Sequence, residues 1–145
     1  MTPPQELTLQ QVQDIVTRAP FHQWLGLTVL TVGDDTIEIK ARWREEWVVN
    51  VDRRYTHGGI LAALIDLAAD FAMVKQTGRG VPTIDMRVDY HRVAVPGDLI
   101  ARGKVVRFGS QFATAEAEII DLDGKLIATG RGTYLTTPPA PPKSP

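Results

Sequence analysis

The 145-residue sequence contains no cysteine. That absence excludes disulfide bonds, thiolate nucleophiles and zinc sites built from cysteine ligands. Neither sign of charge is in excess, because 16 basic residues face 17 acidic ones, and this balance gives no electrostatic reason to expect a nucleic-acid partner. The three histidines are scattered and do not form a metal-ligand set, so the sequence implies no metal and no redox cofactor.

A long hydrophobic run is also missing. The most apolar segment, residues 60–74, includes Asp66 and Asp70 and is shorter than the roughly 20 apolar residues that a membrane span needs. The N-terminus lacks the basic start and the apolar core of a signal peptide. We therefore expect a cytoplasmic protein without a membrane partner.

What the sequence does contain fits one globular domain, because 145 residues with 43% apolar content can bury a core. Residues 1–137 are assigned to this domain. They begin with a helix within residues 1–19, which Thr8 would cap and Pro20 would follow. The Pro-rich tail, residues 138–145, is expected to be disordered because it can neither extend a sheet nor pack a core.

The remaining pattern consists of strands and one long helix. A turn over residues 20–26 leads into two β-rich runs, which are joined at residues 33–35 as a hairpin. A helix that is apolar on nearly every face follows, from about Gly58 to Gln76. Four further strands, separated by turns at "VPGD", "GS" and "LDGK", predict an antiparallel meander.

A helix with so little polar surface must be surrounded by other elements. We therefore predict an α+β fold in which a curved antiparallel sheet wraps around one long central helix. Such a sheet leaves a face or an edge uncovered, and a second copy of the chain would cover it.

Several motifs indicate a family. The long helix opens with His57-Gly58-Gly59, and Asp66 follows nine positions after the histidine. The later segment "TIDMRVDYHRVAVPGD" places Thr83 ahead of an Asp-Met pair and ends on Pro-Gly-Asp. Together these motifs resemble the phenylacetate-type (PaaI-like) acyl-CoA thioesterases, and residues from about 20 to 136 resemble the hotdog fold. The resemblance implies a homo-oligomer, dimer or tetramer, whose active sites are shared between protomers.

Thioester hydrolysis suggests a chemical role for each of these residues. The reaction needs donors aimed at the carbonyl oxygen and a base or nucleophile at the carbonyl carbon. Gly58 and Gly59 lie at a helix N-terminus, where backbone N–H groups lack intrahelical acceptors. Asp66 lies eight residues beyond Gly58, about 12 Å along the helix axis. Two antiparallel helices related by a two-fold axis would bring Gly58 of one copy near Asp66 of the other.

Asp66 would act as general base or as nucleophile, and the residues alone leave both roles open. The hydroxyl of Thr83 would position the water or the carboxylate. Asp70, one turn beyond Asp66, is interpreted as a structural acid.

Three further residues are candidates for substrate contacts. His57 would cap or orient the start of the helix, and Arg92 would contact the phosphates of coenzyme A. Members of the resembled family often carry an asparagine six residues before the histidine, where its side chain helps to hold the thioester or the water. Val51 occupies that position here and Asn50 precedes it, so Asn50 would need a one-residue insertion in the loop to reach the site.

The sequence thus favours a thioesterase that acts on a small or medium acyl-CoA. A hotdog hydratase or dehydratase is a second interpretation, but its chemistry needs a histidine and a carboxylate converging on the acyl chain, and no acid-rich loop lies near His57. A non-catalytic acyl-CoA-binding module is a third. Asp66 disfavours it, whereas the shifted Asn50 leaves it open.

Overall fold

The computed structural model describes residues 3–145. Its elements follow in chain order: α1 (Leu9–Val16), α2 (Pro20–Trp24), β1 (Leu27–Val32), β2 (Thr36–Ala41), a 3-10 turn (Glu45–Trp47), α3 (Gly58–Phe71), α4 (Val74–Thr77), β3 (Thr83–Tyr90), β4 (Leu99–Phe108), β5 (Phe112–Asp121) and β6 (Leu126–Leu135). The six strands form one antiparallel sheet that wraps around α3. The predicted α+β hotdog architecture is confirmed.

The N-terminal helix begins where the sequence indicates. Thr8 caps α1 and forms a reciprocal capping box with Gln11. The prediction of a turn after this helix was wrong, because Pro20 opens the short helix α2. Proline has no N–H to lose at the first helical position and its φ angle suits a helix start.

The central helix is shorter than predicted. It ends at Phe71 rather than near Gln76, and the separate helix α4 follows Met73. Met73 donates its N–H to the carbonyl of Asp70 three residues back, so the regular helical pattern breaks there without a glycine or a proline to mark the break. Gly78 then ends α4 with a φ of 67°, a left-handed conformation that glycine adopts at little cost.

The order of strands also differs from the prediction. The sheet runs β1-β2-β4-β5-β6-β3, so β4, β5 and β6 form the predicted meander but β3 does not precede β4 in it. Instead β3 pairs with β6 at the far edge. The connection from β3 to β4, residues 91–98, is longer than the two to five residues of a hairpin loop, so it crosses to the other side of the meander.

Two glycines let the central helix approach the sheet closely. A methyl group on Gly103 of β4 would overlap the carbonyl oxygen of Ala68 in α3. A methyl group on Gly130 of β6 would come within 2.5 Å of the Cγ2 atom of Ile65. The helix backbone therefore lies directly against the strands, and its residues cannot shift without displacing the sheet.

Gly103→Ala is expected to lower the free energy of unfolding by about 1–3 kcal/mol, because the added methyl group forces apart two backbones in a close-packed core. Urea unfolding measures this change. Gly58→Ala is a matched control, since its methyl group would meet only the Tyr90 ring at 3.4 Å. Equal stability of the Gly103→Ala variant and the unmodified protein would contradict the close approach of helix and sheet.

Among residues 3–145, none of the helices combines the length and the hydrophobicity that a membrane crossing requires. Residues 138–145 are exposed and have no regular secondary structure. Disorder of this tail stays a prediction, as does the assignment of residues 1–137 to one domain.

Candidate active site

The loop before α3 is held in place by backbone hydrogen bonds. Thr56 donates its N–H to the carbonyl of Ala94 at 2.8 Å, and His57 donates its N–H to the carbonyl of Trp47 at 2.7 Å. Trp47 is fully buried. The start of the helix is therefore fixed against the core from two sides.

The imidazole of His57 caps α3. Its Nδ1 atom accepts the N–H of Gly59 at 2.7 Å. A backbone N–H can only donate, so Nδ1 carries the lone pair and the proton of the neutral ring lies on Nε2. The expected role of His57 in orienting the helix start agrees with this geometry.

This hydrogen bond gives the two glycines different roles as donors. The N–H of Gly59 is already used by His57, whereas within residues 3–145 no acceptor is found for the N–H of Gly58. One glycine, not two, therefore offers a free donor. It points outward at the positive end of the helix dipole, where a developing negative charge is stabilised.

Tyr90, at the end of β3, covers this helix start. Its hydroxyl donates to the carbonyl of Gly58 at 2.9 Å. A depression of about 380 Å³ opens beside the ring and is lined mainly by apolar residues, with Arg92 among its other lining residues. Thr56 also lines the depression; its hydroxyl is buried and has no hydrogen-bond partner among the described residues.

Asp66 lies two turns further along α3 and is half-buried. Its Oδ1 atom accepts two hydrogen bonds, one from the hydroxyl of Thr83 at 2.7 Å and one from the hydroxyl of Tyr134 at 3.1 Å. Both donors hold the same oxygen, so the carboxylate is fixed in orientation and Oδ2 is left for another partner. The structure thus brings Asp66 and Thr83 together as predicted.

Tyr134 is a site residue that the sequence analysis missed. Its side chain is fully buried, and burial followed by the negative charge of Asp66 raises the pKa of its hydroxyl above the ordinary value. The hydroxyl therefore stays protonated and donates. The only signal in the sequence is an inward position on β6, which any core residue would share.

Asp70 lies one turn beyond Asp66 on α3. Its Oδ1 atom accepts the N–H of Val81 at 2.9 Å, which ties the helix to the segment that leads into Thr83. Burial raises the pKa of Asp70 to about 7; the hydrogen bond from Val81 opposes this change and the negative charge of Asp66 reinforces it. The structural role expected for Asp70 agrees with these contacts.

Asp70→Asn is expected to stabilise the protein at pH 8 by up to about 4 kcal/mol and to have little effect near pH 4. Because the folded state raises the pKa of Asp70, it binds this proton more tightly than the unfolded chain, and stability is lost as the pH rises from about 4 to 7. Urea unfolding of both proteins across this range measures the difference. A difference that does not change with pH would contradict the prediction.

Asn50 makes its side-chain hydrogen bonds within its own loop. Its side-chain oxygen accepts the N–H groups of Asp52 at 3.1 Å and Arg53 at 2.8 Å, and its amide donates to the hydroxyl of Tyr55 at 3.4 Å. These bonds shape the loop before α3. In the described chain no hydrogen bond joins Asn50 to Gly58 or Asp66.

Within a single chain the donor and the acid lie far apart. Eight residues separate Gly58 from Asp66, which is about 12 Å along α3. The candidate site therefore consists of two separated half-sites within one chain, a donor at Gly58 and a fixed carboxylate at Asp66. Among the described residues no group of three histidines or acids could hold a metal ion.

Comparison with known proteins decides the family. The model of the thioesterase superfamily matches residues 54–128, just over half of the chain, and spans Gly58, Asp66 and Thr83. The chain belongs to the thioesterase superfamily. It is an enzyme of the thioester-hydrolase class, and the predicted resemblance is confirmed.

Individual proteins and solved structures are also similar to this thioesterase over most of its length. A Halobacterium salinarum protein is 33% identical over 134 residues, which cover 85% of the chain and 88% of the relative. The medium/long-chain acyl-CoA thioesterase YigI of Salmonella typhimurium is 27% identical, over 83% of the chain and 87% of YigI. An X-ray structure from the thioesterase superfamily is 52% identical with a TM-score of 0.85, over 88% and 96% of the two chains. The Escherichia coli PaaI protein shares the fold, at 20% identity and a TM-score of 0.73 over 87% and 95%.

Proposed function

We propose that this thioesterase hydrolyses a small or medium acyl-CoA at a site shared between two copies of the chain. The observation that carries the proposal is the carboxylate of Asp66, which is held through one oxygen by Thr83 and Tyr134 and leaves the other oxygen free. The name of the YigI relative supports coenzyme A as the thiol.

The edge strand β3 supports a shared site. Among residues 3–145 it pairs with β6 alone, and Ile84 and Tyr90 on it are each more than half exposed. Thr83 at its start contacts Asp66, while Tyr90 at its end contacts Gly58. If two β3 strands pair antiparallel about a two-fold axis, the start of each strand lies near the end of the other. Asp66 of one copy then faces Gly58 of its partner.

The outward face of α3 allows this contact. Between the helix start and Asp66, the residues that are not buried are small apart from Ile60, namely Gly58, Gly59, Ala62 and Ala63. Small side chains let two helices approach closely. We therefore propose a homodimer as the minimal active unit, and a pairing of dimers would give a tetramer.

In the proposed reaction the thioester carbonyl oxygen accepts the N–H of Gly58 in the depression beside Tyr90. Oδ2 of Asp66 from the partner copy removes a proton from water, whose oxygen attacks the carbonyl carbon. Negative charge moves onto the carbonyl oxygen, where Gly58 and the helix dipole stabilise it. The tetrahedral intermediate then expels the coenzyme A thiolate and leaves the carboxylic acid. The proton that Asp66 took from water passes to the thiolate sulfur, which regenerates the carboxylate of Asp66.

The other predicted residues have supporting roles in this proposal. Thr83 orients Asp66 through its hydroxyl. His57 holds Gly59, and thereby the helix start, in position. Arg92, which lines the depression, contacts a phosphate group of coenzyme A. Asn50 acts through the loop that it shapes rather than through the thioester.

Tyr134→Phe is expected to lower kcat about tenfold with little change in KM, because the carboxylate loses one of the two donors that fix it. Steady-state kinetics with an acyl-CoA substrate measures both constants. A variant with unchanged kcat would contradict a positioning role for Tyr134.

The proposed activity is tested with acyl-CoA thioesters of differing chain length and ring content, with release of the free thiol as the readout. Hydrolysis of at least one straight-chain member supports the proposal. Tight binding of acyl-CoA without any turnover would favour the non-catalytic module instead. Conversion of an enoyl or hydroxyacyl thioester without thiol release would favour the hydratase.

A further inference from the structure

A groove with aromatic and cationic walls lies outside the candidate active site. Two neighbouring depressions of about 700 and 430 Å³ meet at Gly26, Arg42 and Trp43, where β2 ends and the loop towards α3 begins. Lys40 belongs to the wall of the first depression, and Arg44 to that of the second. No residue of this groove contributes to the mechanism proposed above.

The cations of the groove are not equivalent. Arg44 is fixed, since it donates to Glu46 at 2.8 Å and to the carbonyl of Trp24. Lys40 and Arg42, by contrast, form no ion pair with any residue from 3 to 145. Lys40 lies on β2 between the buried Ile39 and Ala41, and the exposed Arg42 directly follows the strand, so both side chains lie on the side away from the core. The groove therefore presents two neighbouring cations that form no ion pair within the described residues.

The carboxylates in the groove already have donors. Glu46 is paired with Arg44, and Asp98 accepts the backbone N–H of Trp43 at 2.7 Å. This bond also fixes the backbone at Trp43. An anion entering the groove would meet Lys40 and Arg42 without having to displace a carboxylate from either.

Trp43 offers an aromatic surface next to these cations. Its ring is half-buried and meets Trp47 at a centroid distance of 5.7 Å and an angle of 80°, so one edge-to-face contact holds it. Trp24 already has two ring partners, Phe21 at 6.1 Å and the Arg44 guanidinium at 4.2 Å. Trp43 is thus the indole left for stacking with a planar ligand.

The groove is close to the start of α3. Trp43 packs against Trp47, and the carbonyl of Trp47 accepts the N–H of His57, which precedes Gly58. A phosphopantetheine arm is an extended chain about as long as four or five amino acids, roughly 15 Å. That length suits a substrate whose thioester lies at Gly58 and whose other end lies in the groove.

We propose that this groove binds the nucleotide end of coenzyme A, with adenine stacked on Trp43 and the phosphates held by Lys40 and Arg42. A nucleotide combines a planar base with negatively charged phosphates. An indole beside two unpaired cations can bind both parts of such a ligand, the base by stacking and the phosphates by charge. The inference rests on the proposed acyl-CoA thioesterase function, which supplies a substrate with such a group.

The test compares an acyl-CoA with the same acyl group on pantetheine, which lacks the nucleotide. The double variant Lys40→Ala, Arg42→Ala should raise KM for the acyl-CoA about 10- to 100-fold and leave kcat unchanged. Turnover of the acyl-pantetheine should not change, which also shows that the variant is folded. Trp43→Phe, which keeps an aromatic ring, should have a smaller effect than Trp43→Ala.

The matched control removes two exposed cations from the other end of the same sheet face, Lys104→Ala with Arg107→Ala, and should leave KM for both substrates unchanged. An equal effect of the two double variants would overturn the proposal in favour of general electrostatic attraction. A larger effect of Arg92→Ala than of the groove variant on acyl-CoA alone would overturn it in favour of the depression beside Tyr90.

Direct binding separates failure of the groove from failure of the proposed function. Calorimetry with adenosine 3′,5′-bisphosphate should show binding that the groove double variant weakens at least tenfold and the control pair does not. This result would stand even if no thioester were hydrolysed. Absence of binding, or binding that the groove variant leaves unchanged, would overturn the proposal while the hydrolysis assay stands on its own.

Discussion

Asp66→Asn is expected to lower kcat for acyl-CoA hydrolysis by about 10²- to 10⁴-fold, the range that removal of a general base produces. Asparagine has the same shape, and its side-chain oxygen can still accept the hydroxyls of Thr83 and Tyr134. What it cannot do is take a proton from water. KM and the oligomeric state should therefore stay the same, and steady-state kinetics together with light scattering measure all three quantities.

Asp123→Asn is the control for this substitution, because Asp123 is an exposed carboxylate in the turn between β5 and β6. It should leave kcat unchanged. Full activity of the Asp66→Asn variant would remove Asp66 from the reaction. In a single-turnover reaction in ¹⁸O-water, label in the Asp66 carboxylate would identify Asp66 as a nucleophile that is released by attack of water on its own carboxyl carbon, whereas a general base would leave the carboxylate unlabelled.

A mixture of two inactive variants should regain activity. Gly58→Val places a branched side chain where the thioester carbonyl would approach, and we expect it to be as inactive as Asp66→Asn. When the two proteins are mixed at equal amounts and allowed to exchange subunits, half of the dimers contain one copy of each. Each mixed dimer has one site with both substitutions and one site with neither, so about a quarter of the unmodified activity should return.

Each variant incubated alone under the same exchange conditions serves as the control and should stay inactive. A mixture of Asp66→Asn with a second inactive variant at Thr83 should not recover, because Thr83 and Asp66 lie in the same half-site. Failure of the first mixture to recover, with subunit exchange verified by mass, would place the whole site within one chain. That result would contradict the antiparallel pairing of β3.

The sequence predicted the two half-sites because each depends on local spacing. A histidine followed by two glycines at a helix start predicts a capped N-terminus, and an acid two turns later predicts a carboxylate on the same helix. The capping bond from Gly59 to His57 involves residues only two positions apart. The cap itself was expected of His57, but its consequence was not, because the bond uses the N–H of Gly59 and so removes one of the two expected donors.

Features that depend on distant residues could not be predicted in this way. Tyr134 reaches Asp66 across 68 positions of sequence, and nothing in its neighbourhood distinguishes it from a core tyrosine. The pairing of β3 with β6 depends on which side of the meander the connection over residues 91–98 crosses. The break after Phe71 has no helix-breaking residue to mark it, and the residues that follow it, Met73 and Val74, are buried.

The position of β3 has a kinetic consequence. If two β3 strands pair as proposed, the ends of each strand carry different halves of the reaction centre, and a dissociated chain then contains every required group but should complete no turnover. In dilute solution, where most copies are separate, the observed rate should rise with the square of the protein concentration, and it should become proportional to concentration once association is complete. The point of changeover reports the strength of association without any physical separation of species.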